Sequence, residues 1–306
     1  MSKKPYPKRD PIHWVLDWDG TITKRDTLDA LVNIAASTKP NFPTINRWKQ
    51  IVIAYLSDYT STLEVLAPGG ALPTTIEGER KLLKDLKVVE QRSLDRVYEA
   101  KIFEDVTNKQ IEEGANKAIR EGNVALRPGC LEFLQRMSSA EGNMLHILSV
   151  NWSRHFISSC LKSAGAEVDP SPVLANELQG IARGEPSSGQ ISPDGETKIV
   201  ASDDKLRYLE KLREDSIAPI VYVGDSWTDI ECLLAADLGI CIRDEPMGSS
   251  QKKLAEGFER LEIHCPHLSE SKEQDDDTSI MWTRDFLEIH EWASHRGMRN
   301  SATQGR

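Results

Sequence analysis

Short runs of consecutive apolar residues alternate along this chain with stretches in which apolar residues recur every three or four positions. Unbroken apolar runs are typical of parallel strands covered on both faces, and a spacing of three and four is typical of helices. The apolar runs lie at residues 13–16, 144–150, 220–223 and 238–242. The helical stretches lie at residues 130–138, 155–164, 205–213 and 229–236. This alternation predicts an α/β fold with a doubly wound parallel sheet.

A long helical segment interrupts the alternation after the first strand. The second strand begins only at residue 144, although one strand–helix–strand unit needs about 30 residues. Between residues 26 and 122 apolar residues keep the helical spacing, and prolines separate the helices. We therefore expect an inserted α-helical cap domain at 26–122, a bundle of about four helices. The core domain would comprise residues 10–25 and 123–250.

Two further segments depart from the sheet pattern. Residues 176–202 are rich in Gly and Pro, which predicts a hairpin or a flap over a site. Beyond residue 250 no strand–helix alternation is evident, and residues 273–277 form an acidic loop. We expect residues 251–306 to be a C-terminal extension whose last helix docks on the core. The residues assigned to one face of that helix are Trp282, Phe286, Ile289 and either Trp292 or Ala293.

Charge and cysteine content narrow the possible partners and location. The 306-residue chain has a net charge of −10, which argues against a nucleic-acid partner because phosphate backbones bind basic surfaces. Its five cysteines include no CxxC pair, as is typical of reduced thiols in an intracellular protein. No apolar stretch approaches the ~18 residues of a membrane span, and no secretory signal is evident. We expect a soluble cytoplasmic protein without a membrane partner, and its oligomeric state stays open.

The motif DWDGT, at residues 17–21, follows the first predicted strand. Asp17 and Asp19 are two positions apart, so on an extended backbone both carboxylates point the same way. Gly20 lets the chain turn and expose both acids at the carboxyl edge of the sheet, where open α/β folds bind ligands. The alternative is an ordinary solvated turn, since Asp and Gly are common turn residues.

A second acidic motif, GDSWTDI at residues 224–230, follows another buried strand. Asp225 would emerge at the same edge as Asp17, and Asp229 lies one helical turn further on. A helix cap is the alternative role for this motif. Two acidic strand ends at one edge repel each other unless a cation neutralises them. Because Mg²⁺ is the usual divalent ion beside phosphate, the two motifs predict a Mg²⁺ site.

Two donor residues complete a possible phosphate site. Ser149 ends the second strand, so its hydroxyl and the following amides would face the same edge. Lys205 opens a later helix, and its ammonium could hold a phosphoryl oxygen. Taken singly, the serine could be a helix cap and the lysine a solvent-exposed charge. Their order along the chain favours the phosphate site.

These motifs together resemble the haloacid dehalogenase-like hydrolase superfamily. The residues that carry the resemblance, in order, are Asp17, Asp19, Thr21, Ser149, Lys205, Asp225 and Asp229. The helical insert after the first motif, and residues 176–178 before a Gly-rich segment, resemble its phosphoserine phosphatase branch. The resemblance covers residues from about 10 to 245 and implies a Rossmann-like core with a cap.

The resemblance also implies a role for each residue. Asp17 would be the nucleophile that forms an aspartyl-phosphate, and Asp19 the general acid and base. Mg²⁺ would be held by Asp17, the backbone carbonyl of Asp19 and Asp225. Asp229 would support this site by orienting Lys205 or a metal-bound water. The phosphate-binding residues would be Thr21, Ser149 and Lys205.

Departures from the phosphoserine phosphatases bear on the substrate. Ser149 is followed by Val150 and Asn151, where those enzymes have glycines that let the backbone approach closely. This turn favours another small phosphorylated metabolite, with Asn151 in contact with it. Asp26 stands where a similar acid meets the amino group of phosphoserine, so it is a second candidate for substrate binding. Its alternative role is to cap the first helix of the cap.

The sequence therefore predicts a Mg²⁺-dependent phosphatase that acts on a small phosphorylated metabolite. Two alternatives stay open: a catalytically weak binding or scaffold protein with this fold, and a phosphotransferase. The joint presence of the acids, the serine and the lysine favours an enzyme over a scaffold, because a binding protein would be free to lose some of them.

Overall fold

Six parallel strands form one sheet in the order β3-β2-β1-β4-β5-β6. The structure is a computed structural model that describes residues 11–140, 142–166, 173–192, 198–270 and 279–302, with side chains as far as residue 294. The strands are β1 His13–Leu16, β2 Met144–Leu148, β3 Val173–Leu174, β4 Ile220–Gly224, β5 Leu238–Ile242 and β6 Ile280–Thr283. The order reverses between β1 and β4, which is where doubly wound sheets bind ligands. The predicted fold class is confirmed.

Ten helices of the described residues cover the sheet and build the cap. Those of the core are α5 Cys130–Ser139, α6 Arg154–Ser163, α7 Ser202–Glu214, α8 Ile230–Ala235, α9 Ser249–Arg260 and α10 Phe286–Ala302. Those of the inserted bundle are α1 Leu28–Thr38, α2 Thr44–Leu66, α3 Ile76–Glu99 and α4 Asn108–Arg120. The bundle therefore has the four helices that the apolar spacing predicts.

The sheet separates two apolar clusters because successive side chains of a strand point to opposite faces. Trp14 and Leu16 of β1 pack in one cluster, with side chains of α5, α6 and the cap. Val15, between them, packs in the other with side chains of α7, α8 and α3. All four residues of β1 are buried, so the strand that leads to Asp17 is fixed from both sides.

The chain beyond residue 250 does not lose the strand–helix pattern, and this expectation was wrong. β6 pairs in parallel with β5 and is followed by α10, so the extension completes the sheet. Trp282 lies in β6 rather than on the last helix. Phe286 and Ile289 of α10 are buried, and the Phe286 ring lies 5.2 Å from the Phe133 ring of α5. Trp282 stands four positions before Phe286, so the helical spacing of apolar residues runs back into the strand and conceals it.

The Gly-rich segment forms a hairpin-like turn on the cap side of the molecule. Leu178 and Ile191 make an antiparallel bridge. The Ser187 N–H donates to the Val106 carbonyl, and the Asp105 N–H donates to the Ser187 carbonyl, both at 2.8 Å. The described part of this segment thus packs on the loop between α3 and α4. The expected acidic loop at 273–277 lies outside the described residues.

Helix α3 of the cap is attached to the core by polar contacts at Glu79 and at the partly exposed Lys87. Glu79, which is 2% exposed, accepts hydrogen bonds from the Trp227 indole at 2.6 Å and from Arg260 of α9 at 3.0 and 3.1 Å. Lys87, two turns further along, donates to Asp203 and Asp204 of α7 at 3.1 and 2.6 Å. One side of the cap is therefore held to the core.

Candidate active site

A buried lysine holds the carboxylate that directly follows β1. Lys205 of α7 donates from Nζ to Asp17 Oδ1 and to Asp229 Oδ1, both at 2.7 Å. Burial alone would lower the pKa of Lys205, but the two carboxylates raise it above its usual range. Lys205 is therefore a fixed positive charge beside Asp17 and, contrary to its alternative role, is not solvent-exposed.

Hydrogen bonds occupy both carboxylate oxygens of Asp229. Oδ1 accepts from Lys205 and from the Tyr222 hydroxyl, the latter at 2.6 Å. Oδ2 accepts from the backbone N–H groups of Asp225 and Ser226 at 3.2 and 3.0 Å, and from the Ser226 hydroxyl at 2.9 Å. Burial would raise the pKa of Asp229, but Lys205 and these hydrogen bonds lower it. Its geometry fits the supporting position implied by the resemblance.

The carboxylates of Asp17 and Asp225 have the environment of a cation site. Ligand oxygens of Asp17, Asp225 and Asp229 lie within 4.8 Å of one another. Burial, and then the charge of Asp229, raises the pKa of Asp225 to about 8. Burial likewise raises the pKa of Asp17 well above its usual range, against the effect of Lys205. Buried carboxylates with too little positive charge around them fit a divalent ion with oxygen ligands.

Gly20 permits the close approach of the first motif to Asp225. Its φ of +79° lies in the left-handed region that favours glycine. A Cβ at this position would lie 2.4 Å from Asp225 Oδ2. Backbone conformation and available space both require glycine here, which explains its place between the two acids and Thr21.

The carboxylate of Asp19 is held by three donor groups. Its Oδ1 accepts from the backbone N–H and the hydroxyl of Thr27 at 2.8 and 2.6 Å, and its Oδ2 accepts from Asn151 Nδ2 at 2.9 Å. The Trp18 indole donates to the same Thr27 hydroxyl at 3.1 Å. Burial, and then the charge of Asp26, raises the pKa of Asp19 to about 6. That value suits a group that gives and takes a proton near neutral pH.

The other predicted residues lie around this centre. Thr21 is buried and donates its hydroxyl to Asp225 Oδ1 at 3.1 Å. Ser149 is buried, and its hydroxyl accepts the Asn151 N–H at 3.1 Å. Asp26 lines the cleft, and its Oδ1 accepts the N–H of Leu28 at 2.8 Å in the turn that leads into α1, whose N-cap residue is Thr27. Their phosphate or substrate contacts stay predictions.

Sequence reasoning missed two residues that hold the site together. Thr27 contacts Asp19 but looks like an ordinary helix start in the sequence. The buried Arg127 guanidinium donates to the carbonyls of Gly20 and Thr21 at 2.6 and 3.1 Å and to Asp244 at 2.6 Å. Its partners are far away in sequence, and only the RPG turn before α5 marks its position.

A cleft of about 700 Å³ lies between the cap and the carboxyl edge of the sheet. Its floor is lined by Asp17, Asp19, Lys205 and Asp225. Residues of the neighbouring helices α2 and α3 line the cap side of the cleft. This volume is typical of small-molecule sites. A larger open depression between α4 and α6 contains none of the four floor residues.

Within the described residues, no helix is both long and apolar enough to cross a membrane.

The amino-acid sequence matches the profile of a known family. The sequence profile of the haloacid dehalogenase-like hydrolases matches residues 14–234 of this chain. The chain therefore belongs to the haloacid dehalogenase-like hydrolases. The matched segment includes both acidic motifs, Ser149, Lys205 and the whole cap.

Individual relatives are distant. The chain is 27% identical over 239 residues to a CTO1 family protein of Schizosaccharomyces pombe, covering 75% of this chain and 81% of that protein. It is 27% identical over 247 residues to the mitochondrial bifunctional TH2 protein of Arabidopsis thaliana, covering 74% of this chain but 38% of that longer protein. A phosphoserine phosphohydrolase-like protein from Francisella tularensis superposes with a TM-score of 0.53 at 15% identity, covering 92% and 99% of the two chains. The last likeness shows the fold.

Proposed function

We propose that the protein is a Mg²⁺-dependent phosphatase that hydrolyses a small phosphorylated metabolite through an aspartyl-phosphate on Asp17. The observation that carries the proposal is that one oxygen of the Asp17 carboxylate is held by a hydrogen bond while the other is available to react. Lys205 fixes Oδ1, and Oδ2 has no hydrogen-bond partner among the described residues. Asp19 lies on the same cleft floor, so a nucleophile and a proton donor face one space.

The proposed reaction has two displacements at phosphorus. In the first, an oxygen of Asp17 attacks, the bond from phosphorus to the leaving oxygen breaks, and Asp19 gives its proton to the leaving alkoxide. In the second, Asp19 takes a proton from water, the resulting hydroxide attacks phosphorus, and Asp17 leaves as a carboxylate with release of inorganic phosphate. Lys205 neutralises charge on the phosphoryl oxygens throughout.

Mg²⁺ would be held by Asp17, the backbone carbonyl of Asp19 and Asp225. When bound, the ion would polarise the phosphoryl group and offset the repulsion between the carboxylates. Thr21 would keep Asp225 in position through its hydroxyl, and Asp229 would keep Lys205 in position. Cleft size favours small phosphorylated molecules as substrates.

Transfer of the phosphoryl group to another acceptor is the second candidate activity, because the same first step would serve it. A catalytically weak scaffold role is disfavoured by the complete set of predicted site residues. The free cysteines among the described residues support a cytoplasmic location, although the TH2 relative is named as mitochondrial.

The proposal is tested by screening the purified protein against phosphorylated metabolites and p-nitrophenyl phosphate, with Mg²⁺ and with a chelator. We expect phosphate release only with Mg²⁺, and a rise in melting temperature on adding Mg²⁺, because the ion binds only the folded state. Asp17→Asn should lower kcat on the order of 1,000-fold while the fold survives. Metal-independent turnover, or normal activity of the variant, would contradict the proposal.

A further inference from the structure

The half of the cleft farthest from the sheet is formed by one face of each of two cap helices. The residues of α2 that line it are Trp48, Ile51, Val52 and Tyr55. These positions have the i, i+3, i+4, i+7 spacing of a single helical face. The residues of α3 that line it are Glu90, Ser93 and Leu94, again on one face. The apolar face of each helix thus packs inside the cap along part of its length and lines the cleft along the rest.

Aromatic rings give this half of the cleft a rigid wall. Trp152, from the turn after β2, packs edge-on against Trp48 with ring centroids 5.6 Å apart and an interplanar angle of 89°. Phe103 packs against Trp152 in the same way at 6.0 Å. Trp152 lies in the turn where Ser149 is followed by bulky residues instead of glycines, so the departure seen in the sequence builds part of this wall.

Two carboxylates at this end of the cleft each keep an oxygen that can accept a hydrogen bond from a ligand. The Trp48 indole N–H already donates to Asp29 Oδ1 at 2.7 Å, and the Tyr55 hydroxyl donates to Glu90 Oε1 at 2.8 Å. Glu90 Oε2 and Asp29 Oδ2 have no hydrogen-bond partner among the described residues. Lys24 and Arg25 also line the cleft, but both are exposed at its mouth.

Glu90 has the environment of a carboxylate that lacks a positive partner. Burial raises its pKa above the usual range, and no basic side chain of the described residues pairs with it. A cationic group in the cleft would supply the missing charge, and the neighbouring ring faces would attract the same cation. Aromatic walls and an unpaired carboxylate therefore select for one kind of ligand.

Given the proposed phosphatase activity, on which this inference rests, we infer that the preferred substrate joins its phosphate to a flat aromatic ring that carries a cationic N–H donor. The phosphate binds at the floor beside Asp17. The ring lies against Trp48 and Tyr55, and the cation contacts Glu90. A volume of about 700 Å³ accommodates a ring and a phosphate but not a macromolecule.

The inference is tested by comparing matched substrates on the wild-type protein with Mg²⁺. The probes are 4-(aminomethyl)benzyl phosphate, its neutral counterpart 4-methylbenzyl phosphate, and the flexible 6-aminohexyl phosphate. A desolvated charge-assisted hydrogen bond predicts a kcat/KM at least about tenfold higher for the cationic arene than for the neutral one. The aliphatic amine should react more slowly than the cationic arene because it lacks the ring.

Glu90→Gln assigns the preference to this side chain. The variant keeps the shape and an acceptor but removes the charge, so the ratio of kcat/KM values for the cationic and neutral arenes should fall at least about fivefold. Glu99→Gln is the matched control, an exposed glutamate on the same helix, and should keep the wild-type ratio. Because each ratio is measured within one protein, a general loss of folded enzyme cancels.

The outcomes separate the two levels of the proposal. Absence of activity on every probe and on p-nitrophenyl phosphate would overturn the phosphatase itself. Activity on all arenes with equal kcat/KM in the wild-type protein would overturn the substrate inference alone. A preference for the cationic arene that Glu90→Gln leaves intact would show that another group binds the cation, and would overturn the assignment to Glu90.

Discussion

Arg127 is the side chain that connects the loop of the first acidic motif to the rest of the core. It binds the carbonyls of Gly20 and Thr21, and its Nη1 reaches the carbonyl of Arg284 at 3.3 Å, just after β6. Burial would raise the pKa of Asp244, but its hydrogen bond from Arg127 helps to lower it below the ordinary value. One guanidinium therefore connects segments that follow β1, β5 and β6.

We predict that Arg127→Lys lowers kcat by about 10- to 100-fold and weakens activation by Mg²⁺. A lysine reaches one partner but cannot reproduce the planar fork, so the loop that carries Asp19 and Thr21 loses its fixed position. Steady-state kinetics as a function of Mg²⁺ concentration measure both effects. Arg120→Lys, at an exposed arginine of α4, is the control. A correctly folded Arg127→Lys protein with wild-type kcat and Mg²⁺ dependence would contradict the positioning role.

Single residues were predictable where chemistry follows directly from local pattern. Asp17 and Asp225 each follow an unbroken apolar run, so their position at the sheet edge could be read from the sequence. Thr27 and Arg127 could not be found, because their partners are set by how the loop folds and by contacts between distant segments. Asn151 lines the cleft and donates its amide to Asp19, and its contact with the substrate stays a prediction.

At the scale of elements, two histidines join β1 and β2. His13 Nε2 lies 2.7 Å from His146 Nδ1. Burial, and then the charge of His146, lowers the pKa of His13 from 6.5 to about 4. Burial also lowers the pKa of His146. Because the unfolded chain binds a proton at His13 more readily than the folded protein does, the stability from His13 is complete above pH 6.5 and is lost as the pH falls towards 4.

We predict that the free energy of unfolding falls by roughly 2 to 3 kcal/mol between pH 7 and pH 4.5 through His13. Urea denaturation at a series of pH values measures the fall. His13→Gln removes the titrating group, so its stability should depend less steeply on pH in this range. His264→Gln, at an exposed histidine, should keep the wild-type slope. Equal slopes for wild type and His13→Gln would exclude this source of acid sensitivity.

A second contact between elements is the ion pair that attaches cap helix α3 to α9 of the core. Removing the charge of Glu79 leaves the Arg260 guanidinium, whose side chain is 22% exposed, without its carboxylate partner. Breaking a fully buried ion pair costs about 3–5 kcal/mol. We predict that Glu79→Gln lowers the free energy of unfolding by about 2 to 4 kcal/mol, since Arg260 is partly exposed. Glu77→Gln, exposed in the first turn of the same helix, should change it little; equal effects of the two substitutions would refute the attachment.

Elements were predictable where an apolar run or a helical spacing in the local sequence indicates them unambiguously. β1 and β5 have the predicted bounds, and the cap helices follow from apolar spacing over many turns. The two-residue β3 and the four-residue β6 carry no detectable period. Their place in the sheet depends on pairing with β2 and β5, which is a tertiary property.

At the scale of the whole molecule, the C-terminal segment is part of the α/β core. β6 completes the sheet, α9 supplies Arg260 to the cap, and the Arg284 carbonyl receives Arg127. The family profile ends at residue 234, so these contacts lie beyond the matched segment. They couple the end of the chain to the cap and to the first acidic motif, which local sequence patterns do not indicate.

The central claim is that Asp17 carries the phosphoryl group during turnover. Borohydride reduces an acyl phosphate to an alcohol, so quenching the enzyme during turnover of p-nitrophenyl phosphate with Mg²⁺ should convert Asp17 to homoserine. Peptide mass spectrometry would then find this change at residue 17 only, and only when both substrate and Mg²⁺ are present. Sustained turnover with residue 17 unchanged and another side chain modified would contradict the account.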